Sequence, residues 1–145
     1  MCSYFIDTSA LFKRYIMEEG TEKLDRIFKQ AKIFYISDIT IIEVLSNLKR
    51  KNEISKELSE EVYKSIKGEF LRDIAEGNIK TAGIVSETII EAINLIDKKY
   101  ITPIDSIQLA AALQLSIDPG NTVFVCSDKK LEALARKHGL KSVII

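Results

Sequence analysis

Tyr4-Phe5-Ile6-Asp7-Thr8-Ser9 decides how this chain reads. A short apolar run stops at an acid and two hydroxyl residues, which is the pattern of a buried strand ending in a loop. The same pattern returns late, where Val123-Phe124-Val125-Cys126 runs into Ser127-Asp128. Working outward, residues 2–6 form a strand. Residues 10–17 form a helix with Ser9 as its N-cap, and residues 21–31 form a second helix with Leu24, Ile27 and Phe28 at helical spacing. A second strand covers 33–36 and a helix covers 40–51. A long charged helix spans 55–76, with Leu58, Val62, Ile66, Phe70 and Ile74 at steps of four. Residues 79–85 read as a short, weak strand. The helix over 86–100 turns Ile89, Ile93 and Ile96 inward. Thr102-Pro103 starts another helix that runs to about 116, since Pro is favoured in a first turn. Asp118-Pro119-Gly120-Asn121 is a turn. A strand over 122–126, a helix over 129–138 stopped by Gly139, and a strand over 142–145 complete the chain. Strands alternating with helices predict an α/β fold. Its central parallel sheet is flanked by helices, with a helical insertion between the second and third strands.

The chain has 145 residues, enough for one domain over 1–145 with a sizeable core. Two Pro and six Gly leave little room for long linkers. No apolar run approaches the ~20 residues of a membrane span. The start Met-Cys-Ser-Tyr-Phe-Ile-Asp does not read as a signal peptide, having no basic region before its apolar run. A formal net charge of zero argues against a protein that coats nucleic acid non-specifically. Any such contact is expected to be local. Lys13-Arg14, Lys49-Arg50-Lys51 and Lys129-Lys130 are the basic candidates, and each reads first as a solvated helix face. Cys2 and Cys126 have neither zinc spacing nor a disulfide framework. On parallel strands they fall roughly 13 Å apart, beyond the ~7 Å limit for a bridge. Both are expected reduced, and the protein cytoplasmic.

Four acids occupy strand ends or helix starts: Asp7, Glu43 in Ile41-Ile42-Glu43-Val44, Asp105 in Pro103-Ile104-Asp105-Ser106, and Asp128. Those ends gather on one edge of an α/β sheet, where such folds bind ligands. Two charges about 4 Å apart cost roughly 4 kcal/mol at an effective dielectric of ~20. A divalent cation is the simplest way to hold them, because hard oxygen ligands suit Mg²⁺ or Mn²⁺. Thr8, Ser9, Ser106 and Ser127 beside the acids can bond a carboxylate without filling the cavity. Each acid alone also has a structural reading. Thr40 to Glu43 and Thr102 to Asp105 have capping-box spacing, and Asp7 and Asp128 can cap. The foursome is harder to explain that way. Other chemistries lack their parts. One histidine, His138, excludes a two-imidazole site, and no phosphate-binding glycine loop is present.

Phe5-Ile6-Asp7-Thr8-Ser9-Ala10-Leu11, Ile39-Thr40-Ile41-Ile42-Glu43-Val44-Leu45, Ile104-Asp105-Ser106-Ile107-Gln108-Leu109-Ala110-Ala111-Ala112 and Phe124-Val125-Cys126-Ser127-Asp128-Lys129-Lys130-Leu131 resemble, in order, the four motifs of PIN-domain ribonucleases. That family includes the toxins of VapBC-type toxin–antitoxin pairs. The resemblance implies Mg²⁺- or Mn²⁺-dependent attack of water on an RNA phosphodiester, leaving a 5′-phosphate and a 3′-hydroxyl. Asp7 and Asp105 match the family's firmest metal ligands, and Glu43 and Asp128 match the third and fourth acids. All four are then catalytic and metal-binding, with Thr8, Ser9 and Ser127 auxiliary. Cys126 departs from the Thr or Ser often found two residues before the last acid. A thiol is a poor partner for a hard metal, so any hydroxyl role there falls to Ser127 or is absent. The resemblance also implies a cognate antitoxin and a homodimer, with the apolar stripe of residues 54–74 as the expected contact surface or as core. Two other readings are a PIN-like domain that binds RNA or protein without cleaving, and a phospho-accepting module with an acidic Mg²⁺ pocket. The presence of all four acids weighs against the first. Two acids falling after residue 100 weigh against the second.

Overall fold

In the computed structural model, which describes residues 3–30, 33–115 and 121–145, every strand is parallel to its neighbours. The elements run β1 (Ser3–Ile6), α1 (Thr8–Tyr15), α2 (Thr21–Gln30), β2 (Phe34–Ser37), α3 (Asp38–Glu53), α4 (Glu60–Ala75), β3 (Lys80–Ala82), α5 (Ser86–Lys98), α6 (Pro103–Leu115), β4 (Thr122–Cys126), α7 (Lys129–Lys137) and β5 (Lys141–Ile144). The sheet order is β3-β2-β1-β4-β5. This is the α/β architecture expected from the alternation, with α3 and α4 forming the helical insertion before β3.

Alternation along the central strands splits the core into two layers. Phe5, Phe124 and Cys126 face α5, α6 and α7, and Phe5 stacks on Phe124 at 5.9 Å between ring centroids. Ile6, Val123 and Val125 face the other way, among Leu11, Val44, Leu48 and Phe70 of α1, α3 and α4. β4 is buried along its whole length, as parallel strands covered on both faces must be. β3 is a three-residue edge strand, shorter than the 79–85 expected, although Ile79 before it is buried.

Several boundaries move for physical reasons. Asp7 is the N-cap of α1 in place of Ser9. Its carboxylate accepts from the Ala10 amide, and Ser9 lies inside the first turn. α3 starts at Asp38 behind Ser37, two residues before the expected 40. α4 starts at Glu60, not 55, because Ser59 caps it through the Val62 amide and Lys56 takes a left-handed φ of 57° just upstream. Gly139 ends α7 at φ 92°, as its position suggested. Ala31, Ser116, the Asp118–Gly120 turn and Cys2 lie outside the described residues.

Two helix faces differ from their expected roles. Of the apolar stripe over residues 54–74, only Phe70 is fully buried; Leu58, Tyr63, Ile66 and Ile74 pack partly buried against the core, and Ile54, Val62 and Leu71 remain exposed. On α5 the expectation reverses. Thr88, Ala92 and Leu95 are buried, while Ile89, Ile90, Ile93 and Ile96 are exposed. α5 packs against α6, whose Ala110, Ala111 and Ala112 are small, and Thr88 donates to Gln114 at 2.9 Å. The small residues on both helices allow the close α5–α6 approach, and the Thr88–Gln114 bond satisfies the polar group buried there.

A buried acid outside the four also enters the fold. Asp73 on α4 accepts from the Tyr15 hydroxyl (2.6 Å) and Arg14 Nε (3.3 Å) on α1, and from Asn78 (3.2 Å). Burial pushes its carboxyl up, but these bonds and the Arg14 charge more than offset that and hold it below the ordinary range. Asp73 thereby ties α1 to α4.

Candidate functional site

β1 and β4 are neighbours, but the chain leaves them toward opposite edges of the sheet. Such a switch point opens a crevice at the strand C-termini. Asp7 follows β1 directly, and Asp128 follows β4 after Ser127. Asp105 lies in the first turn of α6, and Glu43 lies further along α3. A cavity of about 400 Å³ is lined by Asp7, Thr8, Ser9, Glu43, Asn47, Ile104, Asp105, Gln108, Ser127 and Asp128. All four acids, with Thr8, Ser9 and Ser127, therefore border one space. Ser106 does not line it; its hydroxyl donates to the Pro103 carbonyl.

The two strand-end acids divide their oxygens between fold and cavity. Asp7 Oδ1 accepts from the Ala10 amide (3.1 Å) and the Ser9 hydroxyl (2.8 Å). Asp128 Oδ1 accepts from the Lys130 (2.8 Å) and Leu131 (3.1 Å) amides and so caps α7. The capping readings of both residues hold, yet each cap uses only Oδ1. Among the described residues, Oδ2 of each has no hydrogen-bond partner. Asp105 keeps a weaker version of its capping spacing, since its amide donates to Thr102 Oγ1 at 3.4 Å. Glu43 is not part of a capping box, because α3 begins upstream of Thr40.

Glu43 is held by Thr8, already singled out as auxiliary, and by Gln108, which sequence reasoning missed. The Thr8 hydroxyl donates to its Oε1 at 2.7 Å. Gln108 Nε2 donates to Thr40 Oγ1 at 2.7 Å and reaches Thr8 Oγ1 at 3.1 Å and Glu43 Oε1 at 3.3 Å. Thr40 is fully buried and Gln108 nearly so. The clue was present: Gln108 is a polar residue in the apolar run Ile107-Gln108-Leu109-Ala110, one helical turn beyond Asp105. Gln108 Oε1 and Ser127 Oγ are buried without a partner among the described residues. Cys126 is set apart from the cavity. Its thiol is buried, reaches the Asp128 carbonyl at 3.4 Å, and is pushed up to about 12 chiefly by burial.

Charge is concentrated at this rim. Burial raises the Asp7 carboxyl to about 6, against the lowering effect of the Ala10 and Ser9 bonds; Asp105 and Glu43 add repulsion. Asp105 is also raised, mainly by burial and further by Asp128. His138 caps the far end of α7, lines no part of the cavity and is shifted downward by burial and by Lys98 and Lys137.

Hard oxygen donors with mutual repulsion and two unpartnered polar atoms fit a divalent cation. Among the described residues, however, no three His, Cys, Asp or Glu side chains gather closely enough to cage an ion. The donors present are hard oxygens, which suit a divalent cation that keeps part of its water shell.

Among curated proteins, no sequence matches this chain. Solved structures do match its fold along nearly the whole length. One is the VapC20 toxin of Mycobacterium tuberculosis, described as cleaving the sarcin–ricin loop, with TM-score 0.68 and 13% identity over 98% of this chain and 99% of that one. A second is VapBC2 of Rickettsia felis bound to a promoter DNA fragment, with TM-score 0.67 and 14% identity over 98% of each chain. A third is VapBC-1 of nontypeable Haemophilus influenzae, with TM-score 0.64 and 17% identity over 98% and 97%. At such identities these likenesses concern the fold. The PIN domain model matches residues 4–137, nearly the full length. This chain belongs to the PIN domain family.

Proposed function

We propose that this chain is an endoribonuclease that hydrolyses RNA phosphodiester bonds with Mg²⁺ or Mn²⁺, and that it is the toxin of a toxin–antitoxin pair in the cytoplasm. The observation that carries this reading is the meeting of Asp7, Glu43, Asp105 and Asp128 at one switch-point cavity of a PIN domain. Its likeness in fold to a VapC toxin described as cleaving the sarcin–ricin loop supports it.

Asp7 and Asp105 would hold the metal directly, and Glu43 and Asp128 would bind through its water shell. When bound, a divalent cation lowers the pKa of water and offsets charge growing on the phosphate oxygens. The chain's own part is positioning. The caps of α1 and α7 fix Asp7 and Asp128 through Oδ1 and leave Oδ2 for a ligand. Thr8 and Gln108 fix Glu43. Ser9 orients Asp7, and Ser127 offers an unused hydroxyl. No histidine is required for proton transfer at this site.

Purified protein is expected to cleave single-stranded or loop RNA with Mg²⁺ or Mn²⁺ and to leave 5′-phosphate ends. Full activity in excess EDTA, or no cleavage with either metal, removes the reading.

We further infer a homodimer and a cognate antitoxin. VapBC complexes of similar fold support the antitoxin. An antitoxin Arg entering the four acids would replace the metal's charge, by a bidentate contact. Ile89, Ile90, Ile93 and Ile96 form an exposed apolar face on α5, which replaces the α4 stripe as the surface for self-association. Light scattering is expected to give a dimer that Ile93→Glu converts to monomer. Co-expression with the neighbouring open reading frame is expected to relieve growth arrest. A monomeric wild type removes the dimer, and unrelieved arrest removes the antitoxin.

A further inference from the structure

A groove of about 710 Å³ adjoins the acidic cavity and shares Asp105 and Asp128 with it. Its walls come from the segment between α5 and α6, which supplies Lys99 and Tyr100, and from α7, which supplies Lys130, Leu134 and Lys137. The α7 residues fall at steps of four and three, so they share one helix face. Tyr100 is 84% exposed, and no other ring among the described residues packs against it. None of the three lysines forms an ion pair among the described residues. The groove thus carries three exposed cations and an open aromatic ring against two carboxylates, Asp105 and Asp128, which it shares with the acidic cavity.

We infer that this groove binds the single-stranded RNA segment next to the scissile phosphate, with one base stacked on Tyr100 and the flanking phosphates on Lys99, Lys130 and Lys137. Charge complementarity selects the occupant. A polyanion is attracted by the lysine end, and its cleaved phosphate reaches the acidic end, where a cation offsets the repulsion. Aromatic stacking accepts any base, so Tyr100 serves affinity more than sequence choice. An apolar helix would use Ile101 and Leu134 but gain nothing from the three lysines, whereas a polyanion engages all three. The inference rests on the ribonuclease reading and names a substrate subsite for it.

The test uses the full chain and a fluorescent single-stranded oligoribonucleotide. Tyr100→Ala is expected to raise KM roughly tenfold with kcat little changed, because stacking binds ground and transition states alike. Tyr100→Phe keeps the ring and should behave as wild type. Lys130→Gln and Lys137→Gln should each flatten the dependence of log kcat/KM on log salt by about 0.7. Fluorescence anisotropy reads binding of the same oligonucleotide independently of cleavage. If wild type binds RNA but never cleaves it, the nuclease reading fails while the groove stands or falls on anisotropy. Unchanged affinity in Tyr100→Ala and unchanged salt slopes in both lysine variants overturn the proposal. So does a Tyr100→Ala variant that loses self-association by light scattering yet binds RNA as wild type does, which would mark the groove as a contact between copies.

Discussion

Asp7→Asn and Asp105→Asn are each expected to lower RNA cleavage by at least about 100-fold while leaving the fold intact. Asn keeps the shape of Asp and remains a good N-cap, so the Ala10 amide keeps its acceptor in Asp7→Asn. What disappears is the anionic oxygen that a divalent cation would take. Loss of an outer partner of a metal ligand already costs roughly 10–100-fold, and loss of a ligand itself costs more. The readout is initial rate in Mg²⁺, paired with circular dichroism to show an unchanged fold. Added Mg²⁺ should raise the melting temperature of wild type more than that of Asp7→Asn. A variant that keeps more than a tenth of wild-type activity would show that its carboxylate is no metal ligand.

The second large effect has the opposite sign. In metal-free buffer at pH 7.5, Asp7→Asn is expected to be more stable than wild type. The Asp7 carboxyl lies at about 6 in the fold against 3.8 as a model group, so the folded protein binds its proton more tightly than the unfolded chain does. Stability therefore falls as pH rises through that window, and the penalty is fully present above it. The difference amounts to roughly 3 kcal/mol. The lost charge at the start of α1 offsets about 0.3–1 kcal/mol of this, through the helix dipole. A net gain of about 2 kcal/mol follows from these two effects. Well below pH 3.8, wild-type Asp7 is protonated in both states, and the gain should vanish. Urea unfolding at about pH 2.5 and at pH 7.5 measures both ends. A variant less stable than wild type at pH 7.5 would mean that the carboxylate's capping role outweighs its burial. Asp105 is shifted in the same direction, so Asp105→Asn should follow the same trend.

The main elements were legible because their cues are local. β1 and β4 are short apolar runs closed by polar residues, and Pro103 and Gly139 mark the edges of α6 and α7. Cap positions were less legible. Asp7, Thr8 and Ser9 are all competent caps, and the amide that the carboxylate reaches decides among them. The basic clusters also separated only in three dimensions. Lys13 reaches the Glu19 and Ile145 carbonyls, Arg14 pairs with Asp73 and Lys51 pairs with Glu57, while Lys130 lines the groove beside the acids.

Sequence by itself determined the α/β alternation and the four acids at strand ends and helix starts. These follow from hydrophobic period and chain punctuation, which act over a few residues. Tertiary structure alone decided which face of α5 turns inward, since Ile89 or Ala92 could each lead a buried stripe until α6 supplied its alanines. It also decided that Glu43 is held by Thr8 and Gln108, residues 35 and 65 positions away. The strand order places those helices side by side, and no local pattern encodes such a distance. Strand order likewise created the crevice between β1 and β4, where carboxylates that cap their own helices through one oxygen keep the other for a ligand.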